Sequence, residues 1–154
     1  PSCSDQGRRQ ARYLLHPEVM VEPIVSGNAF EDGSQFGQWF IGDLQAWTEG
    51  KDLPFDPETA GLRHTRAVEI KLGKHIAGEQ RPGGWTQPSE RVTLSLLVRG
   101  EFLLRFRPPG QPGPERTYHL QDEGDYLVWQ ETISHTWTAL QDSVILTVRW
   151  QESA

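Results

Sequence analysis

Cysteine is all but missing from this chain. Cys3 is the one thiol in 154 residues, which excludes a disulfide framework and any zinc site built on cysteine. Long apolar runs are missing too. The longest, Leu94 to Val98, falls far short of the roughly 20 residues a membrane-spanning helix needs, so no membrane partner is expected. An excess of basic residues is also lacking. The net charge is −6 and the pI about 5.3, which argues against nucleic acid as a partner, because that role needs a basic face to displace counterions from phosphate. A buried site answers to its own local charges, so a small anionic ligand stays open. The opening stretch, PSCSDQGRRQ, has no apolar segment of the kind a signal peptide carries, and a cytoplasmic location is expected.

What the chain does have is turn formers and aromatic bulk: 15 Gly and 11 Pro beside six Trp and six Phe. That combination belongs to short strands in a sandwich or barrel, and the length suits one domain with a proper core. The aromatic stretch Gln35 to Leu44 reads as a strand, and residues 48–61 read as a loop. From Ala67 to His75 the sequence alternates, with Val68, Ile70 and Leu72 on one side and Glu69, Lys71 and His75 on the other. Val92–Arg99 and Phe102–Arg107 form a hairpin around Gly100-Glu101. Arg116–Leu120, Asp125–Gln130, Ser134–Ala139 and Val144–Trp150 supply four more strands. With little helical periodicity, the fold class is all-β, an antiparallel barrel or jelly roll.

The stretch from Gly124 to Ala139 (GDYLVWQETISHTWTA) resembles the second cupin motif: a Gly, five residues, Pro, one residue, Gly, two residues, His, three residues, Asn. Gly124 and His135 stand at their slots, while Gln130, Thr132 and Ala139 replace Pro, Gly and Asn. Upstream, taking Gly100 as the closing Gly of the first motif puts Thr93 in its Glu slot. The two His slots then fall on Thr86 and Pro88, or on Gln87 and Ser89, and Gly78 matches the opening Gly. The resemblance covers about residues 66–150 and implies a double-stranded β-helix, or cupin barrel, within a single domain of residues 13–154. Residues 1–12 read as a disordered tail. The chain looks like a group of small bacterial single-domain cupins, and the resemblance implies a homodimer. The aromatic segment holding Phe36, Trp39, Phe40 and Ile41 is a candidate for adding to a neighbour's sheet edge.

Cupins commonly hold iron, manganese, zinc or nickel through three His and one carboxylate. Here only His135 survives at those positions, and a tight site needs three or four preplaced donors. The expectation is therefore no metal and no cofactor. Should a metal bind, it is a divalent transition metal at His135, with His75 and Glu69 as the further donors.

Strand parity yields a polar interior instead. If Thr93 points inward, so do Ser95 and Leu97, and an inward His135 brings Trp137 with it. Whether the apolar or the polar series of the Ala67–His75 and Val144–Trp150 strands faces the barrel is left open. With the apolar series outside, the barrel holds Glu69, Lys71, His75, Thr93, Ser95, His135 and Arg149. With it inside, Lys71 and Arg149 are solvated surface residues. In the first case Lys71 and Arg149 favour a carboxylate or phosphate group, His135 is the acid or base, and Trp85 and Trp137 supply apolar walls. Trp39, Trp129 and Trp150 read as core, and His16, His64 and His119 as surface residues without partners.

The expected function is small-molecule binding, with a metal-independent isomerase, cyclase or lyase acting on an anionic molecule through His135. A non-catalytic ligand-binding or sensing module is the alternative, and a metal-dependent dioxygenase-like enzyme the third.

Overall fold

In the computed structural model, residues 24, 26–33, 37–49, 62–110 and 112–151 are described. The expected tail, the segment 13–23, Gln35, Phe36, His16 and most of the 48–61 loop lie outside them. Alternation of small and β-branched residues with polar ones drives strand formation over most of the rest. The elements run α1 (Ala29–Asp32), β1 (Trp39–Gly42), α2 (Leu44–Thr48), β2 (Arg63–His64), β3 (Val68–His75), β4 (Arg91–Arg99), β5 (Phe102–Arg107), β6 (Arg116–Leu120), β7 (Tyr126–Gln130), β8 (Ser134–Ala139) and β9 (Ser143–Gln151).

Two sheets face each other. One has the order β2-β1-β3-β9-β4-β7 and the other β6-β5-β8, extended past β8 by a bridge between Gln80 and Thr138. Taking β3-β9-β4-β7 against Gln80-β8-β5-β6 gives the two interlocked Greek keys of a jelly roll. Except for the parallel β1–β2 pair, every strand pairing is antiparallel.

Register decides which face is inside. Across the large sheet, Glu69, Arg149, Thr93 and Trp129 stand in one rank, Lys71, Thr147, Ser95 and Leu127 in the next, and Gly73, Ile145 and Leu97 in a third. All three ranks point into the barrel. The apolar series (Ile70, Val148, Leu94, Val128, then Leu72, Leu146, Leu96, Tyr126) forms the outer face. Lys71 and Arg149 are therefore interior residues, and the surface reading of them is set aside. At one end the barrel is closed by Leu97, Phe102, Leu104, Phe106, Leu120, Ala139 and Ile145, packed with Leu127, Trp129, Ile133 and Trp137. The polar ranks occupy the other end.

Turn chemistry holds the ends together. At Gly100, φ is +99°, and a Cβ there would run into the Asp142 carbonyl and Ser143, so only glycine suits this hairpin. Gly124 adopts φ +94° and donates its N–H to Leu97 O at 2.7 Å.

The strand expected over Gln35–Leu44 is shorter, ending at Gly42. Asp43 accepts a hydrogen bond from the Ala46 N–H (3.0 Å) and caps α2, so Leu44 starts a helix instead. β1 pairs with β3 of its own chain, Trp39 opposite Lys71, and covers that sheet edge in cis. His64 and His119 also have partners, contrary to expectation. His64 Nδ1 accepts from the Leu44 N–H at 3.2 Å, and His119 Nε2 lies 2.6 Å from Glu101 Oε1. Among the described residues, no helix is long and apolar enough to cross a membrane.

Candidate functional site

Trp39, Lys71, His75, Arg81, Thr86, Thr93, Ser95, Trp129, His135, Trp137, Thr147 and Arg149 surround a cavity of about 210 Å³ at the polar end of the barrel, floored by Phe102, Leu104 and Ile145. The volume is below the usual range for ligand pockets and suits a molecule of a few heavy atoms.

His135 comes from β8, where parity aims it inward. Thr86, on the loop between β3 and β4, meets it. Thr86 Oγ1 accepts the His135 backbone N–H at 2.9 Å and lies 3.1 Å from Nδ1. Of the two spacings the sequence allowed for the first motif, the structure turns Thr86 to the cavity and leaves Gln87 exposed. Burial lowers the His135 pKa to about 4, and Arg81, Arg149 and Lys71 push the same way against Glu131. The ring is neutral at pH 7.

Glu131 is the carboxylate that sequence reasoning missed. It follows β7 and is buried. Its Oε2 accepts from Ser89 Oγ at 2.5 Å and its Oε1 from Thr93 Oγ1 at 2.6 Å. Burial works to raise its pKa, but the Ser89 and Thr93 hydrogen bonds and the charge of Arg149 outweigh it and hold the carboxyl below its ordinary range. Arg149 Nε lies 3.2 Å from Glu131 Oε1, close enough for an ion pair but not aligned as a hydrogen bond. Arg149 Nη1 lies 3.4 Å from Glu69 Oε2, which also takes Arg91 Nη1 at 2.5 Å. Glu69 thus points inward yet is consumed by two arginines and does not line the cavity.

Lys71 and Arg149 both stack on Trp39, with Nζ 5.1 Å and Cζ 4.6 Å from its ring centre. Arg81 is fixed by its own loop, Nη1 donating to Pro82 O (3.0 Å) and Gly84 O (2.8 Å). Burial, then the neighbouring Arg149 and Arg81, bring the Lys71 pKa down to about 8. His75 is buried against Trp137 and Phe102, 4.5 and 5.5 Å between ring centres, with Nδ1 3.2 Å from Glu79 Oε1. Burial lowers its pKa, opposed by Glu79.

The structure therefore brings Lys71, His75, Thr93, Ser95, His135, Trp137 and Arg149 to one cavity. It does not bring Trp85 there. That ring lines a separate surface depression and holds Arg107, whose Cζ is 4.1 Å from the ring centre. Trp39 and Trp129, expected in the core, are cavity walls. Arg81, Thr86, Thr147, Ser89 and Glu131 were missed. Thr147 was within reach of strand parity and Thr86 within reach of motif spacing. Arg81, Ser89 and Glu131 sit on loops, where periodicity carries no directional signal.

Among the described residues, no group of three His, Cys, Asp and Glu stands together; of the positions at which cupins carry ligands, His135 offers an imidazole, while Thr86 and Thr93 offer hydroxyls.

The strand order and the spacing from Gly124 to His135 make this a cupin-type double-stranded β-helix. Among solved structures, the chain is similar to a cupin superfamily protein from Desulfitobacterium hafniense (19% identity, covering 59% of this chain and 73% of that one, TM-score 0.48). It is also similar to a conserved protein of unknown function from Streptococcus pyogenes (19%, 60% and 72%, 0.47) and to KdgF from Halomonas sp. (20%, 60% and 76%, 0.46). No family model and no curated protein matches the chain.

Proposed function

We propose that the barrel binds a small anionic organic molecule and that His135 exchanges a proton with it, in an isomerisation, cyclisation or elimination that needs no metal. The observation that carries this reading is the charge inside the cavity. Lys71, Arg81 and Arg149 line it, and Glu131, the carboxylate nearest them, is already held by Ser89, Thr93 and Arg149. Positive charge gathered in a low-dielectric space is costly without a counter-charge, and a bound carboxylate or phosphate supplies one. Trp39, Trp129 and Trp137 provide apolar walls for the rest of the molecule.

A neutral imidazole is a group that can accept a proton. Part of what depresses the His135 pKa is repulsion from the three cations, so a bound anion raises its basicity at the moment it is needed. The second reading, binding without chemistry, is favoured by that same low pKa, since the free protein holds only a weak base.

The test is a thermal-shift screen of small carboxylates and organic phosphates, followed by titration of the best binder against Arg81→Gln and Lys71→Met. The expected loss is roughly tenfold in affinity for each, equal to about 1.4 kcal/mol. Equal affinity in both variants would remove the cavity as the anion site. With a substrate in hand, His135→Gln that binds but does not turn over supports proton transfer, and full turnover refutes it.

A further inference from the structure

Lys71 differs from the other cations of the cavity. Arg149 has Glu131 and Glu69, and Arg81 has the carbonyls of Pro82 and Gly84. Among the described residues Lys71 makes no ion pair and no hydrogen bond; its amine lies over the face of Trp39, and Glu131 acts on it only as a more distant charge. It sits in the interior rank with Thr147 and Ser95, opposite Trp39 on the neighbouring strand. Arg149 stacks on the same indole. An amine in no direct ion pair, desolvated and set beside guanidinium groups is in the environment that turns lysine into a nucleophile. A guanidinium next to it is the complementary mount for a carboxylate.

We propose that Lys71 forms a Schiff base with a small 2-oxo acid, the substrate's carboxylate resting on Arg149 while the lysine amine adds to the adjacent carbonyl carbon. This deepens the anion-binding reading above and rests on it. In the first step the amine nitrogen bonds to the carbonyl carbon, the carbonyl π pair moves to oxygen, and proton transfer gives a neutral carbinolamine. The C–O bond then breaks with uptake of one proton, the oxygen leaves as water, and a protonated imine remains. No redox partner is required. The depressed pKa of Lys71, about 8, leaves a substantial neutral fraction at mildly alkaline pH. His135 and Thr147 line the same cavity and are available to move protons as the carbinolamine collapses. A cavity of about 210 Å³ has room for a short-chain 2-oxo acid.

The experiment is reductive trapping with pyruvate and cyanoborohydride on the full chain at mildly alkaline pH. It is read by intact mass and peptide mapping. The chain has three lysines, Lys51, Lys71 and Lys74, so the assignment is simple. The expected result is one adduct per chain at Lys71, adding the mass of pyruvic acid less one oxygen atom, and absent in Lys71→Met and Lys71→Arg. Removing the half-buried lysine breaks no ion pair among the described residues, so Lys71→Met folds, and its melting curve checks this. No adduct, or labelling shared evenly with Lys51 and Lys74, overturns the proposal. Thermal shift with lactate, which has the carboxylate but no carbonyl, separates the two readings. If lactate stabilises the wild type but not Arg149→Gln while trapping fails, the Schiff base falls and the anion site stands. If neither lactate nor pyruvate binds, both fall.

Discussion

Thr86 Oγ1 touches His135 twice, accepting its backbone N–H at 2.9 Å and lying 3.1 Å from its Nδ1. A loop hydroxyl thus fixes both the main chain and the ring of the motif histidine. Thr86→Val removes both contacts and leaves a buried N–H unsatisfied. Unpaired buried groups cost about 1–3 kcal/mol. Urea unfolding at pH 7 should show a loss in that range, and a change below about 0.5 kcal/mol would mean the ring is held by other contacts.

Stability should fall in acid because of His135. Its folded pKa is about 4 against an ordinary value near 6.5, so between these values the unfolded chain binds more protons than the folded one. Stability therefore rises with pH across that window, and the penalty is complete below about 4, where it amounts to about 3 kcal/mol. Unfolding curves at pH 7 and pH 4 should show the wild type losing that much more than His135→Gln. Parallel losses in the two proteins would place the acid sensitivity elsewhere.

Lys71 obeys the same rule at higher pH. Its folded pKa is about 8 and its ordinary value 10.5, so stability gains through that interval as the folded state gives up its proton first. Below it the charged amine is buried at a cost. Lys71→Met should therefore be more stable than wild type at pH 7, by about 2–3 kcal/mol, and should lose the rise above pH 8. A destabilised Lys71→Met would show that the amine has a stabilising partner.

Anion binding should take up protons. A bound carboxylate stabilises the charged form of Lys71 and raises its pKa, so at pH 8.5 each binding event draws a fraction of a proton from the buffer. Calorimetric titration of lactate in two buffers of different ionisation enthalpy should give different observed heats for the wild type. The same heats in both buffers, or a buffer dependence that persists in Lys71→Met, would count against this coupling.

Gly100→Ala should destabilise by about 2 kcal/mol or more, because a left-handed φ and a clash with the Asp142 carbonyl act together. Chemical denaturation is the readout. A near-neutral substitution would mean that the β4–β5 turn relaxes freely.

Much of the barrel was legible in the sequence because strands with one apolar face carry their own signature. β5, β6 and β8 have the bounds the alternation implies, β3, β4 and β7 differ by a residue at one end, and β9 by a residue at each end. α2 was not legible, since an Asp cap inside an aromatic stretch looks the same whether the chain continues straight or turns. For the site, parity grouped Thr93 with Ser95 and left Arg149 open between the interior and the surface. Trp85 lies on a loop with no parity to follow, and in the structure it stacks on Arg107.

The amino-acid sequence by itself determined the strand pattern, the inward turn of His135 and the absence of a chelating set at the cupin ligand positions. The first follows from alternation and the other two from the resemblance to the cupin motifs, and both kinds of signal are local. Only the tertiary structure decided that the polar series of β3 and β9 faces inward, because a strand's two faces are equivalent until a second sheet covers one. Only it could place Glu131 and Arg81, delivered by loops, near Arg149, and keep Lys71 out of any direct ion pair among the described residues. Pairings between residues far apart in the chain depend on how the sheets close, and no short window of sequence contains that information.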